Sequence, residues 1–201
     1  MKCAWKRTVA SARIADVSAQ MIDCLVNSAA YTARVHAKFG EERISRLLVS
    51  ASNLMNETIA DYAEDEREED ERVLTAAGSM SAELKCCGFD FRAAKKAIVY
   101  RDPFYDTYRY EREKDMHERR LAYVQIFDLA RTPIHLSFLQ AARQEYKYGA
   151  ERLGKFYAAI RADSDPFLVE YLRCTDKGDE KILEMLKERQ AALLECGIQI
   201  R

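Results

Sequence analysis

The chain has 201 residues, 48% apolar and 32% charged, with seven Gly, three Pro and a formal net charge of −1. This length supports one compact domain or two small ones without disulfides or metal, and the scarcity of Gly and Pro points to an all-α protein. A near-neutral chain has no global field for a polyanion or an anionic membrane, so any such preference must come from local patches.

Lys2, Lys6 and Arg7 open the chain, but Arg13, Asp16 and Asp23 break the apolar run after them. The stretch therefore reads as neither a signal peptide nor a membrane span. Val9, Ala12, Ala15, Ala19, Ile22 and Val26 recur every three or four residues and predict a helix running toward Lys38-Phe39. Gly40 then supplies a tight break or a close backbone approach, and Ile44, Leu47 and Leu48 open the next apolar stripe. A third helix contains Val73-Leu74 and ends at Gly88, where a left-handed glycine commonly closes a helix. Phe89-Asp-Phe91 alternates and predicts a short extended segment, as does Ile198-Gln-Ile200 near the end of the chain. These two segments could pair, or each could lie over its own bundle. Lys95 to Phe104, with a β-branched pair and a proline, reads as a strand-like or irregular connector. Leu121, Val124, Ile126, Phe127 and Ala130 restore helical spacing, and Thr132-Pro133 fits a helix start.

The chain then repeats itself. Residues 34–92 align with 143–201 without a gap, at the offset of 109 that separates Gly40 from Gly149, with 14 identities in 59 positions. Arg34, Lys38, Gly40, Glu42 and Arg43 match Arg143, Lys147, Gly149, Glu151 and Arg152, and Cys87-Gly88 matches Cys196-Gly197. A period of this kind organises the fold. The expectation is two tandem copies of a helical unit forming a pseudo-twofold bundle, with residues 1–92 and 121–201 as its halves and a Tyr/Arg-rich connector over 93–120.

The pattern helix-[FY]-G-x-x-R-[IL], with a terminal E-x-G-I-x-[IL] some forty residues later, resembles small uncharacterised proteins of phages and mobile elements of Firmicutes. Those usually carry one unit with a doubled Phe-Gly-Phe-Gly variant. Lys38-Phe39-Gly40 and Lys147-Tyr148-Gly149 lack the second glycine. The resemblance implies mobile-element origin and a bacterial cytoplasm as the place of action, and it supplies no chemistry to transfer.

A duplication also works as a filter, because features shared by both copies serve the fold, whereas unshared ones are candidates for function. The shared Gly, Glu and Arg read as structural; their functional reading is two basic surfaces that hold phosphates, Lys38, Arg43 and Arg46 with Lys147, Arg152 and Lys155. The sharpest asymmetry is the run from Asp61 to Glu71, eight carboxylates in eleven residues. Its unshared part, Glu64, Asp65, Glu66, Glu68 and Glu69, reads as a solvated face or as a nucleic-acid-like negative surface for a basic enzyme. The connector interleaves Tyr100, Tyr105 and Tyr108 with Arg101, Arg109 and Arg112. Such residues stack bases and hold phosphates in single-strand binders, and they also anchor protein interfaces.

His36, His117 and His135 occur in no recognisable nucleophile motif, and the six cysteines show no C-x-x-C pair. The expectation is a non-enzymatic binding protein with reduced thiols and no cofactor or metal. Its expected partner is a host protein, best read as a CRISPR effector nuclease or its guide complex, with the chain as inhibitor. The alternative is an accessory DNA- or RNA-binding or regulatory protein of the element. If the units are related by a pseudo-twofold axis, the partner surface should break that symmetry.

Overall fold

Seven helices make up nearly all of the described backbone: α1 (Lys2–Val35), α2 (Glu41–Ala60), α3 (Glu69–Cys86), α4 (Phe91–Ala97), α5 (Lys114–Tyr146), α6 (Ala150–Arg173) and α7 (Asp176–Leu194). The computed structural model describes residues 2–60, 69–98, 114–173 and 176–200, with side chains for 19–57, 75–98, 123–173 and 179–200. No strand occurs among the described residues, and no helix there is long and apolar enough to cross a membrane. The all-α expectation holds.

The helices pack across the two halves. α1 lies against α6 and α7, α5 lies against α2 and α3, and α1 and α5 touch each other. One apolar cluster results, in which Met21, Leu25, Ile44 and Leu47 of the first half are buried with Phe127, Leu139, Leu153 and Phe167 of the second.

The turn between α1 and α2 differs from expectation. Lys38, not Gly40, takes the left-handed conformation, at φ 53°. Phe39 N donates to Ala33 O at 3.1 Å, and the Arg34 guanidinium donates to Phe39 O at 3.4 Å, which ties the last turn of α1 to the loop. The Gly40 carbonyl accepts from Ile44 N at 3.1 Å, so this glycine is the N-cap of α2, with Glu41 and Glu42 favourably placed in its first turn. A Cβ on Gly40 would meet nothing within 4 Å, so no close approach requires glycine. The same turn recurs before α6: Lys147 has φ 55°, Tyr148 N donates to Ala142 O at 3.4 Å, Arg143 donates to Tyr148 O at 3.3 Å, and Gly149 O accepts from Leu153 N at 3.0 Å.

At the ends of α3 and α7 the glycine reading holds. Gly88 and Gly197 have φ 86° and 78°. Phe89 N reaches Leu84 O at 3.0 Å and Gly88 N reaches Lys85 O at 2.9 Å, while Ile198 N reaches Leu193 O at 3.1 Å and Gly197 N reaches Leu194 O at 2.9 Å. These are paired C-terminal closures, each with a buried apolar residue just past the glycine and another in the last turn.

Of the extended segments after each unit, the first is corrected. Phe89 is the apolar anchor of the closure, Asp90 accepts from Ala93 N at 2.9 Å as N-cap, and Phe91 opens a helix. Residues 198–200 form neither helix nor strand, and nothing pairs with them as a ladder. Of the expected connector, residues 93–97 belong to α4, residues 99–113 lie outside the described residues, and residues 114–120 open α5. Thr132-Pro133 does not start a helix either, since Pro133 lies inside α5. Burial of Phe127, Ile134, Leu136 and Leu139 on both sides of the proline outweighs one missing backbone bond. Thr132 instead donates to Asp128 O at 3.1 Å.

Candidate functional site

Of the residues singled out by sequence, Glu64, Asp65, Glu66 and Glu68 lie outside the described residues, as do Tyr100, Arg101, Tyr105, Tyr108, Arg109 and Arg112. Glu69 opens α3 in backbone only. The repeated basic residues line different depressions. Arg152 and Lys155 share a pocket of about 290 Å³ with His36, Lys147 lines another beside Glu83, and Arg46 a third beside Glu57 and Glu145. Most are also neutralised or stacked: Arg46 pairs with Glu42 and Lys155 with Glu151, both at 2.6 Å, while Arg43 and Arg152 lie over the rings of Phe39 and Tyr148.

A charged centre, missed in the sequence, lies under α4. Asp165 of α6 accepts bidentate bonds from Arg161, Nε to Oδ1 at 2.9 Å and Nη2 to Oδ2 at 2.9 Å, and a third from Arg131 Nη1 at 2.9 Å. Arg131 also pairs with Asp128, one turn back on α5. Both guanidinium groups are nearly inaccessible. Burial pulls the Arg131 pKa below the ordinary arginine value; Arg161 feels the same burial, but the Asp165 bonds outweigh it and raise its pKa. His135 lies in the same centre at 0% exposure, its ring 5.9 Å from that of Tyr157, and neither ring nitrogen meets a protein partner. Burial first, then the charges of Arg131, Arg161 and Lys95, push its pKa well below the usual histidine value. This histidine is neutral.

α4 closes this centre. Phe91 packs on Tyr157 with ring centroids 5.0 Å apart, and Lys95 Nζ donates to Thr132 Oγ1 at 3.2 Å. Ala94, Lys95 and Ile98 are half-buried, while Arg92, Ala93 and Lys96 are exposed, so one face of a short amphipathic helix is seated. The sequence signal for this centre was Arg161 and Asp165 at i, i+4, a spacing too common on helices to stand out.

On α1, α2 and α5 there is an open groove of about 390 Å³. Val26, Leu48, Ser52, Met55, Asn56 and Phe138 form its walls, Ile200 closes one end, and among the described residues no charged side chain lines it. Val49 on its rim is 60% exposed, and Ile22, one α1 turn before Val26, is 44% exposed. Large exposed aliphatics beside an apolar depression are the mark of a contact surface.

Among the described residues the thiols of Cys24, Cys86, Cys87 and Cys196 are free. Cys24 is buried, which pushes its pKa up to about 12, whereas Cys86 and Cys87 are exposed at the end of α3. Among the described residues no group of three or more His, Cys, Asp or Glu could hold a metal ion. No family model, curated protein or solved structure matches the chain.

Proposed function

We propose that the chain is a non-enzymatic binding protein of a phage or related mobile element, built from two copies of one helical unit related by a pseudo-twofold axis. Reciprocal contacts support the duplication. Gly88 faces Ala150 and Gly197 faces Glu41, which are the same two positions with the copies exchanged. α1 meets α6 and α7 as α5 meets α2 and α3, and the corresponding residues Phe39 and Tyr148 touch each other with ring centroids 6.3 Å apart. Residue i of one copy meeting j of the other, and the reverse, is the signature of an isologous interface.

The observation that carries the binding reading is the uncharged groove with its exposed aliphatic rim, because depletion of charge at the centre characterises protein interfaces rather than nucleic-acid ones. The partner we favour is a host nucleic-acid-targeting defence nuclease or its guide complex. That choice rests on the unshared carboxylates Glu64 to Glu69 and on the phage-family resemblance. Affinity-tagged protein co-expressed with candidate nucleases should co-purify with one of them and slow its cleavage. Failure of both across a panel of effector types would sink the inhibitor reading. A gel shift with free DNA or RNA that fades with salt would favour the accessory nucleic-acid-binding alternative, carried by the tyrosines and arginines of the connector.

A further inference from the structure

The groove and the seat of α4 occupy corresponding places in the two copies. At the offset of 109, the groove residues Leu48, Ser52 and Asn56 correspond to Tyr157, Arg161 and Asp165 beneath α4, and the same offset carried back along α1 and α5, ahead of the aligned residues, sets Val26 against His135. Exposed Ile22 corresponds to Arg131, which is 5% exposed. Ile200, at the end of the groove, corresponds to Phe91, the first anchor of α4. One copy thus has its depression filled by a short helix, and no described residue fills the other.

We propose that the groove receives a short amphipathic helix from a partner protein, seated as α4 is seated on the other copy. This names the partner chemistry for the binding function proposed for the chain and rests on it. The filled seat supplies the template. Its helix starts at a capping carboxylate, exposes positions 92, 93 and 96, and presents positions 94, 95 and 98 to the bundle. In the groove Ile200 already stands where Phe91 stands, so the incoming helix contributes the positions equivalent to 94, 95 and 98.

Charge sets what those side chains are. The seat of α4 contains Arg131, Arg161, Asp128 and Asp165, among which Lys95 is accommodated by Thr132 and by the nearby Asp128 carboxylate. The groove has Ile22, Ser52, Ala19 and Asn56 at the corresponding positions, and Asp23, the counterpart of Thr132, is exposed and not part of its lining. Among the described groove walls a buried ammonium would find no carboxylate, so the occupant is apolar on its docking face, with at most hydroxyl or amide groups toward Ser52 and Asn56.

The test uses the full chain and a fluorescein-labelled peptide of residues 90–98 carrying Phe91→Ala and Lys95→Leu. A hydrocarbon bridge joins positions 92 and 96 so that helix formation does not limit affinity. Saturable anisotropy binding is expected, together with a shift of the Met55 methyl resonance. Val49→Glu or Ser52→Glu should weaken binding at least tenfold while circular dichroism and melting stay unchanged, and restoring Lys95 in the peptide should weaken it at least fivefold. Three results would overturn the proposal: no saturation below about 1 mM, where ordinary weak association would already be visible; binding indifferent to both groove variants; or sedimentation showing a dimer of the chain that Val49→Glu dissociates, which makes a second copy the occupant. If Val49→Glu still captures and inhibits a nuclease, the binding reading stands and the groove is removed from it.

Discussion

Acidification should destabilise this protein through one buried imidazole. His135 has 0% exposure, no protein hydrogen-bond partner at either ring nitrogen, and cationic neighbours on its own helix (Arg131), on α6 (Arg161) and on α4 (Lys95). All of these oppose protonation, so its folded pKa is depressed well below the unfolded value. A neutral histidine in the fold and a titrating one in the unfolded chain mean that the unfolded state binds more protons below about pH 6.5. Stability is therefore complete above that pH and falls as pH drops below it, by about 1.4 kcal/mol per unit while the folded imidazole stays neutral. Between pH 7.5 and 5.0 the loss from this residue is at most about 2 kcal/mol, reached when the folded imidazole stays neutral throughout. His135→Leu keeps the volume roughly constant, removes the titration and also removes two unpartnered nitrogens, so it should cost little at pH 7.5. Urea unfolding of both proteins at the two pH values measures the effect, because other titrating groups contribute equally and cancel in the comparison. If the two proteins lose the same stability between pH 7.5 and 5.0, with unchanged m-values, the reasoning about His135 is wrong.

Other perturbations test the same geometry. Asp165→Ala leaves Arg131 and Arg161 buried without their shared carboxylate and should cost about 3–5 kcal/mol, read as a fall in urea midpoint. Lys38→Gly and Lys147→Gly relieve a left-handed conformation that an L side chain adopts reluctantly, and each should stabilise by about 1 kcal/mol in thermal or urea unfolding. Destabilisation by either would show that the lysine side chain matters more than its φ. Gly78→Ala, at an exposed position inside α3 where a Cβ meets nothing within 4 Å, should raise stability by about 0.5–1 kcal/mol.

The helices, their amphipathic faces and the glycine closures at Gly88 and Gly197 were legible in the sequence because each depends on local spacing and backbone freedom. Three local signals misled for one common reason. Thr132-Pro133 carries the chemistry of a helix start, yet buried apolar residues on both sides hold α5 continuous through it. Phe89-Asp-Phe91 has the period of a strand, but the alternation joins the last anchor of one helix, the cap of the next and its first anchor. Gly40 drew attention as the residue able to turn, while the turn is taken by the lysine two positions earlier and glycine serves as cap. In each case tertiary burial or a neighbouring hydrogen bond decided between readings that the local pattern left equal.

The charged centre and the groove were hidden for a different reason, since on the proposed duplication both arise from how corresponding positions diverged. The same divergence appears where the third helix of each unit meets the bundle. In the second unit Arg189 pairs with Asp163 at 3.0 Å and lies 5.6 and 5.2 Å from the ring centroids of Tyr31 and Phe167, which fastens α7 to α6 and α1. The counterparts of Arg189 and Asp163 in the first unit are Met80 and Leu54, both apolar. Exchanging a buried ion pair for apolar side chains of similar volume is close to neutral in stability, so neither solution is favoured by folding alone. What differs is the surface each leaves. Beneath α4 the Arg131, Arg161 and Asp165 side chains fix directions, whereas the groove of the first unit is lined, among the described residues, by aliphatic and uncharged polar side chains. On the proposed duplication, the half whose depression is uncharged at the positions of Arg131, Arg161, Asp128 and Asp165 is the half that has apolar surface to offer a partner.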